Sequence, residues 1–317
     1  MKVLMRERDL SDDYLLFAQQ IGADGLDIHD PYNLPGVREQ GYPDPEGLRR
    51  LVARLAAHGL RAYRVAPITP RKYLMGQPGG QEEAEWMEKT LRVFGQVGIP
   101  FMSMPIHLDN PGYHAGGYPH AHRGGYKMHA FDLGRMRQAE LTKPYVDPVP
   151  MEDHWQRTVA LYQRLVPVAE QVGVKLITHP SDPPLPNTDV APRKWFGLLD
   201  AVPSPHNGLL YCIGTRYESG TSIFEEIRRF GRMGKILHTH FRNVRGTLPS
   251  AGGYEEVALD DGDMNMFKIL LTLQEAGFDG GLQIDHLPDY ANDDRHQKIG
   301  SAYAVGYVKA LLAALKA

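Results

Sequence analysis

A single cysteine in 317 residues, Cys212, leaves no partner for an internal disulfide and fits a reducing compartment. No apolar run approaches the roughly 20 residues needed to cross a bilayer. The opening Met1-Lys2-Val3-Leu4-Met5-Arg6-Glu7-Arg8 also lacks the apolar stretch of a signal peptide. Together these absences lead to the expectation of a cytoplasmic protein with no membrane partner. Nor is there a basic stripe: the net charge is −3 and the sequence pI is near 6.5, which argues against nucleic acid. No Gly-rich dinucleotide fingerprint follows an early strand, so an open nucleotide-binding sheet is disfavoured. What the chain does have is 42% apolar and 23% charged residues, enough to bury a sizeable core and unlike a disordered chain.

Short β-like runs alternate with longer amphipathic stretches, the pattern of parallel strands joined by crossover helices. Strands are expected near 2–6, 25–29, 62–66, 101–106, 175–179, 209–213, 236–240 and 281–285. Helices are expected over 10–20, 44–58, 81–96, 151–172, 192–201, 221–232, 263–276 and 297–316. Asp44-Pro45 has the form of an N-cap with proline at the first helical position, and Gly59 of the stop. Glycines recur before the next strand at Gly22, Gly59, Gly98, Gly173, Gly234 and Gly277, as helix C-caps would. Eight such units predict one (β/α)8 TIM-barrel domain over 1–317. Residues 108–150 break the rhythm and are expected to be a long loop after strand four, either a lid over the barrel mouth or a contact between subunits.

Four successive strands end in a side chain that can hold a transition metal: His179, Cys212, His240 and Asp285. Each has an ordinary reading alone. Cys212 could be a small buried hydrophobe, His179 a half-buried histidine, and Asp285 a cap. One ligand apiece at the same place on four strands points instead to a divalent-metal site at the barrel mouth. Two imidazoles, a carboxylate and a thiolate suit Mn(II) or Fe(II), and the thiolate keeps Zn(II) in the set. His238 lies on the same strand face as His240 but farther from the end, and is given a packing role. His286 is placed to move a proton. Arg242, Arg216 and Arg64 near the rim suggest an anionic substrate such as a sugar acid, and His29 and His107 could contact its hydroxyls. The acidic stretch 255–263 fails as an EF-hand for want of a closing glutamate; Asp263 is expected to cap helix seven, and Asp261 could line the site.

The segments Thr178-His179-Pro180-Ser181-Asp182-Pro183-Pro184, Cys212-Ile213-Gly214-Thr215, His240-Phe241-Arg242-Asn243, Asp261-Gly262-Asp263-Met264-Asn265-Met266 and Asp285-His286 resemble the mannonate dehydratase family of xylose-isomerase-like barrels. The likeness is strongest from about 170 to 286. It implies metal binding by His179, Cys212, His240 and Asp285, with Mn(II) or Fe(II) as the ion. It also implies proton transfer by His286, and removal of water from D-mannonate to give 2-keto-3-deoxy-D-gluconate. On this reading Arg242 joins His286 in catalysis, and His29, Arg64, His107, Arg216 and Asn243 contact a small sugar acid. The chain departs from the family where Arg-Pro-Asp-His-Gly is common, having Gln283 for the arginine and Leu287 for the glycine. Tyr290 and Tyr303 are only loose candidates for an expected tyrosine. A metal-dependent sugar isomerase or epimerase is the second expectation, and a non-catalytic sugar-acid-binding barrel the third. A homo-oligomer is left open.

Overall fold

The computed structural model describes residues 1–108, 114–142, 149–185 and 192–317. Its strands in chain order are β1 Lys2–Arg6, β2 Gly25–Ile28, β3 Arg61–Val65, β4 Phe101–Ser103, β5 Gly117–Ala121, β6 Lys127–Asp132, β7 Lys175–Thr178, β8 Asn207–Cys212, β9 Ile236–His240, β10 Asn243–Arg245, β11 Gly253–Val257 and β12 Gly281–Ile284. Eight of them, in the order β1-β2-β3-β4-β7-β8-β9-β12, close into a parallel barrel, with β12 back against β1. The barrel expectation therefore holds, and each expected strand falls within about two or three residues of an observed one.

Local chemistry explains the helices between the strands. In Pro45–Ala57 the Asp44 carboxylate accepts from the Gly47 amide at 2.6 Å, and Leu48, Leu51 and Leu55 at helical spacing face the core. The helix Met151–Val172 stops at Gly173, whose φ of 73° only glycine adopts at little cost. One expected cap is corrected: the helix Met266–Glu275 is capped by Asn265, which accepts from the Lys268 amide. Asp263 instead accepts from the Gly246 amide. Among the described residues no helix is long and apolar enough to cross a membrane.

The 108–150 segment is corrected more substantially. Residues 109–113 and 143–148 lie outside the described residues. The rest is no plain loop: it holds the hairpin β5–β6 and the helix Leu133–Thr142. The hairpin pairs through β6 with β11, and β11 pairs with β10, making a four-stranded antiparallel sheet. Its packing rests on Phe131 stacked on Tyr254 (ring centroids 5.6 Å apart) with Met136, Leu185 and Leu248 around them.

Candidate metal centre and active site

Register explains why the four expected donors meet. Cys212 on β8 stands opposite His240 on β9, and His240 stands opposite Gln283 on β12, two residues before Asp285. His179 directly follows β7, the next strand round. One donor atom from each of His179, Cys212 and His240 lies within 4.8 Å of the others, and the same holds for His29, His240 and Asp285. The two triads share His240. Both of its ring nitrogens lack a well-formed hydrogen bond among the described residues, although Nδ1 stands 3.1 Å from Asp285 Oδ2. A buried imidazole in that state costs stability unless something occupies its lone pair. The residues therefore fit a bound ion.

The electrostatics prepare the donors. Burial pushes the Cys212 thiol up, but the Arg242 guanidinium and His240 outweigh it and hold the thiol below its usual range. Burial lowers the His179 pKa to about 4, leaving a neutral ring, while its Nδ1 donates to the Pro180 carbonyl at 2.5 Å and turns Nε2 to the site. Asp285 stays well below the carboxylate range despite burial, because His240, His286 and Arg242 surround it.

Sequence reasoning missed the layer behind these donors. Arg242, 1% exposed, donates through Nη1 to Glu218 (2.5 Å) and Glu256 (2.9 Å). Its Nη2 donates to Asp182 and Thr215, both at 2.7 Å. Thr215 in turn donates to the Cys212 sulfur at 3.1 Å. Arg242 is thus a buried hub that fixes the donors, not a side chain presented to solvent. Glu256 also accepts from His286 Nδ1 at 2.7 Å, while His286 Nε2 stands 3.4 Å from Asp285 Oδ2. Against burial, Asp285 and Glu256 raise the His286 pKa to about 10. Asp182 was visible in the His179-Pro180-Ser181-Asp182 segment; Glu218 and Glu256 carried no sequence signal.

The family model for D-mannonate dehydratase (UxuA) matches residues 126–317, more than half of the chain. The chain belongs to the D-mannonate dehydratase family. A mannonate dehydratase of Thermotoga maritima is 28% identical over 204 residues, 59% of this chain and 56% of that protein. Mannonate dehydratase 2 of Halalkalibacterium halodurans is 31% identical over 175 residues, half of each chain. The matched stretch thus spans about half the length of these curated relatives. A crystal structure of mannonate dehydratase from Streptococcus suis shares the fold end to end (TM-score 0.81, 21% identity, 98% of this chain and 93% of that one). So, more distantly, does a D-psicose 3-epimerase from Clostridium cellulolyticum (TM-score 0.65, 13% identity, 98% and 99%).

The remaining residues sort by what they touch. In this family member Arg216 donates twice to Glu226 and once to Thr221, and lies over the rings of Trp195 and Phe196. At 1% exposure it is buried among these partners, not at the open rim where the sequence reading put it. Asn243 is corrected likewise: its amide binds the Leu259 and Met264 carbonyls and the Val244 and Met264 amides, pinning the chain after β11. Asp261 pairs with Arg245 and Tyr126 and does not line the site. Arg64 lies inside the barrel between Asp27 and Ser103, with one Nη against His29. His238 meets Asp27 at 2.6 Å there, a polar contact inside the barrel. His29 sides with the metal donors, and the His107 ring packs edge-on against His179 at 6.4 Å. Gln283, at the family's arginine position, is fully buried. Tyr290 packs on Tyr126 and Tyr303, outside the pocket.

That pocket, of about 600 Å³, lies between β1 and the hairpin, with His286 and Glu256 in its wall. Its cationic lining is a set the sequence did not single out: Arg6 and Arg8 at the end of β1, and Lys127 on β6. Arg8 Nε is buried without a hydrogen-bond partner among the described residues.

Proposed function

We propose that this protein is a metal-dependent dehydratase of a sugar acid, D-mannonate first, forming 2-keto-3-deoxy-D-gluconate and water. The observation that carries the reading is one donor apiece from four neighbouring parallel strands, in a chain of the mannonate dehydratase family. His179, Cys212, His240 and Asp285 would hold the ion, with His29 within reach of the same cluster. The donor set suits Mn(II) or Fe(II), with Zn(II) a competitor through the thiolate. When bound, the ion supplies a Lewis acid for a substrate oxygen.

The chain's own groups would do the rest. The substrate carboxylate lies against Arg6, Arg8 and Lys127. Loss of the C2 proton to solvent in the open pocket puts further negative charge onto that carboxylate, where fixed cations stabilise it, and solvent returns a proton to His286 at the end of the cycle. His286 lines the pocket beside Asp285, and Glu256 fixes its ring. From there it gives a proton to the departing C3 hydroxyl. A cytoplasmic setting suits this chemistry and the lone buried cysteine.

The test is an assay of Mn(II)-loaded protein with D-mannonate, following product by mass and carbonyl reactivity. Product lighter by one water supports the reading. A product of unchanged mass would replace it with isomerisation or epimerisation, for which the barrel alone is no counter-argument. Stabilisation by sugar acids with no turnover would leave a binding barrel.

A further inference from the structure

The inserted sheet carries a group that the barrel chemistry does not use. His120 lies on β5 and His122 just past its end, and Glu255 of β11 reaches them diagonally across β6, where its direct partner is the small, fully buried Ala130 opposite Tyr118. One donor atom from each of His120, His122 and Glu255 lies within 4.8 Å of the others. His120 Nε2 is 3.5 Å from Glu255 Oε1, and His122 Nδ1 is 3.9 Å from Oε2. Those separations are too long for hydrogen bonds. They sit near the roughly 3.3 Å between ligands on a tetrahedral ion with bonds of about 2.0–2.1 Å.

The buried ring of His122, its side chain 1% exposed, has one nitrogen, Nδ1, towards Glu255 and the other, Nε2, without a hydrogen-bond partner among the described residues. Asp261 and Glu255 on one side and Arg245 on the other leave the surroundings net negative.

We propose that His120, His122 and Glu255 form a second metal site, for a borderline divalent transition ion such as Zn(II), sharing no residue with the barrel donors. Two imidazoles and one carboxylate favour such ions over Mg(II) or Ca(II), which take oxygen ligands. The fourth position is left to water. The site ties β5 to β11 and so fastens the hairpin whose other residues line the substrate pocket.

The experiment counts zinc. Protein equilibrated with Zn(II) and passed through gel filtration is analysed by mass spectrometry for metal per chain. Going from wild type to H120A/H122A should remove one equivalent. H120Q and E255Q, milder changes checked for folding by circular dichroism, should lose the same equivalent. Cobalt separates the two sites: in Co(II)-loaded H120A/H122A the thiolate charge-transfer band, which only Cys212 can give, should persist while the visible band intensity falls. Unchanged zinc content in all three variants overturns the proposal, whatever the barrel site binds. So does a visible cobalt spectrum in H120A/H122A that matches wild type in intensity.

Discussion

Arg242 sits behind the donors and binds four of their neighbours at once. Its guanidinium pairs with Asp182, Glu218 and Glu256, three carboxyl groups around one charge. Breaking such a cluster from one side leaves uncompensated charge and costs about 3–5 kcal/mol. Arg242→Met should lower the urea midpoint accordingly and also weaken metal retention, because Thr215 and Asp182 lose their anchor. A stable variant with full metal would show the hub to be dispensable. His286→Gln should do the reverse, keeping metal and fold while losing turnover; unchanged turnover would remove His286 from the chemistry. Arg8→Ala should raise KM for D-mannonate roughly tenfold or more, the order of about 1.5–3 kcal/mol for a hydrogen bond to a charged group. Weak binding of a neutral alditol should not change, and equal losses for both ligands would mean that Arg8 does not read the carboxylate. At this scale the sequence was informative about donors, because a strand end fixes where a side chain goes. It was uninformative about arginines: Arg242, Arg216 and Arg64 look alike in a string, and only tertiary pairing with Glu218, Glu226 or Asp27 separates them from Arg6 and Arg8.

The elements were legible in proportion to how far their pattern was local. Strands of the barrel are buried on both faces, as at Asn207–Cys212, and read as apolar runs. The hairpin β5–β6 was missed for the opposite reason. Gly117–Ala121 has no buried residue, and the strand that β6 pairs with outside the hairpin, β11, comes more than a hundred residues later in the chain. Its order depends on partners that no local period reveals. Phe131→Ala should therefore act locally. Removing the ring from the stack on Tyr254 costs about 3–5 kcal/mol in a well-packed cluster. Hydrogen exchange should quicken in Lys127–Asp132 and Gly253–Val257 while the barrel strands stay protected. Equal loosening of the barrel would show that the two sheets unfold as one unit.

On the scale of the whole molecule, the donors do more than build a site. They hang from β7, β8, β9 and the end of β12, which are consecutive round the barrel. An ion held there cross-links four strands whose connections cover most of the C-terminal half. A ligand bound only by the folded state stabilises it by about 2.7 kcal/mol at a hundred times Kd. Chelation of Mn(II)-loaded protein should thus lower Tm by a few degrees, and Mn(II) should restore it. In Asp285→Asn, which removes a donor but keeps its volume, Tm should be low from the start and indifferent to Mn(II). Asp285→Asn also loses a charge beside Arg242 and His286, so a low Tm alone would not identify the metal as the cause; the lost response does. If wild type ignores both chelator and Mn(II), the quartet at the barrel mouth is packing chemistry, and the dehydratase reading falls with it.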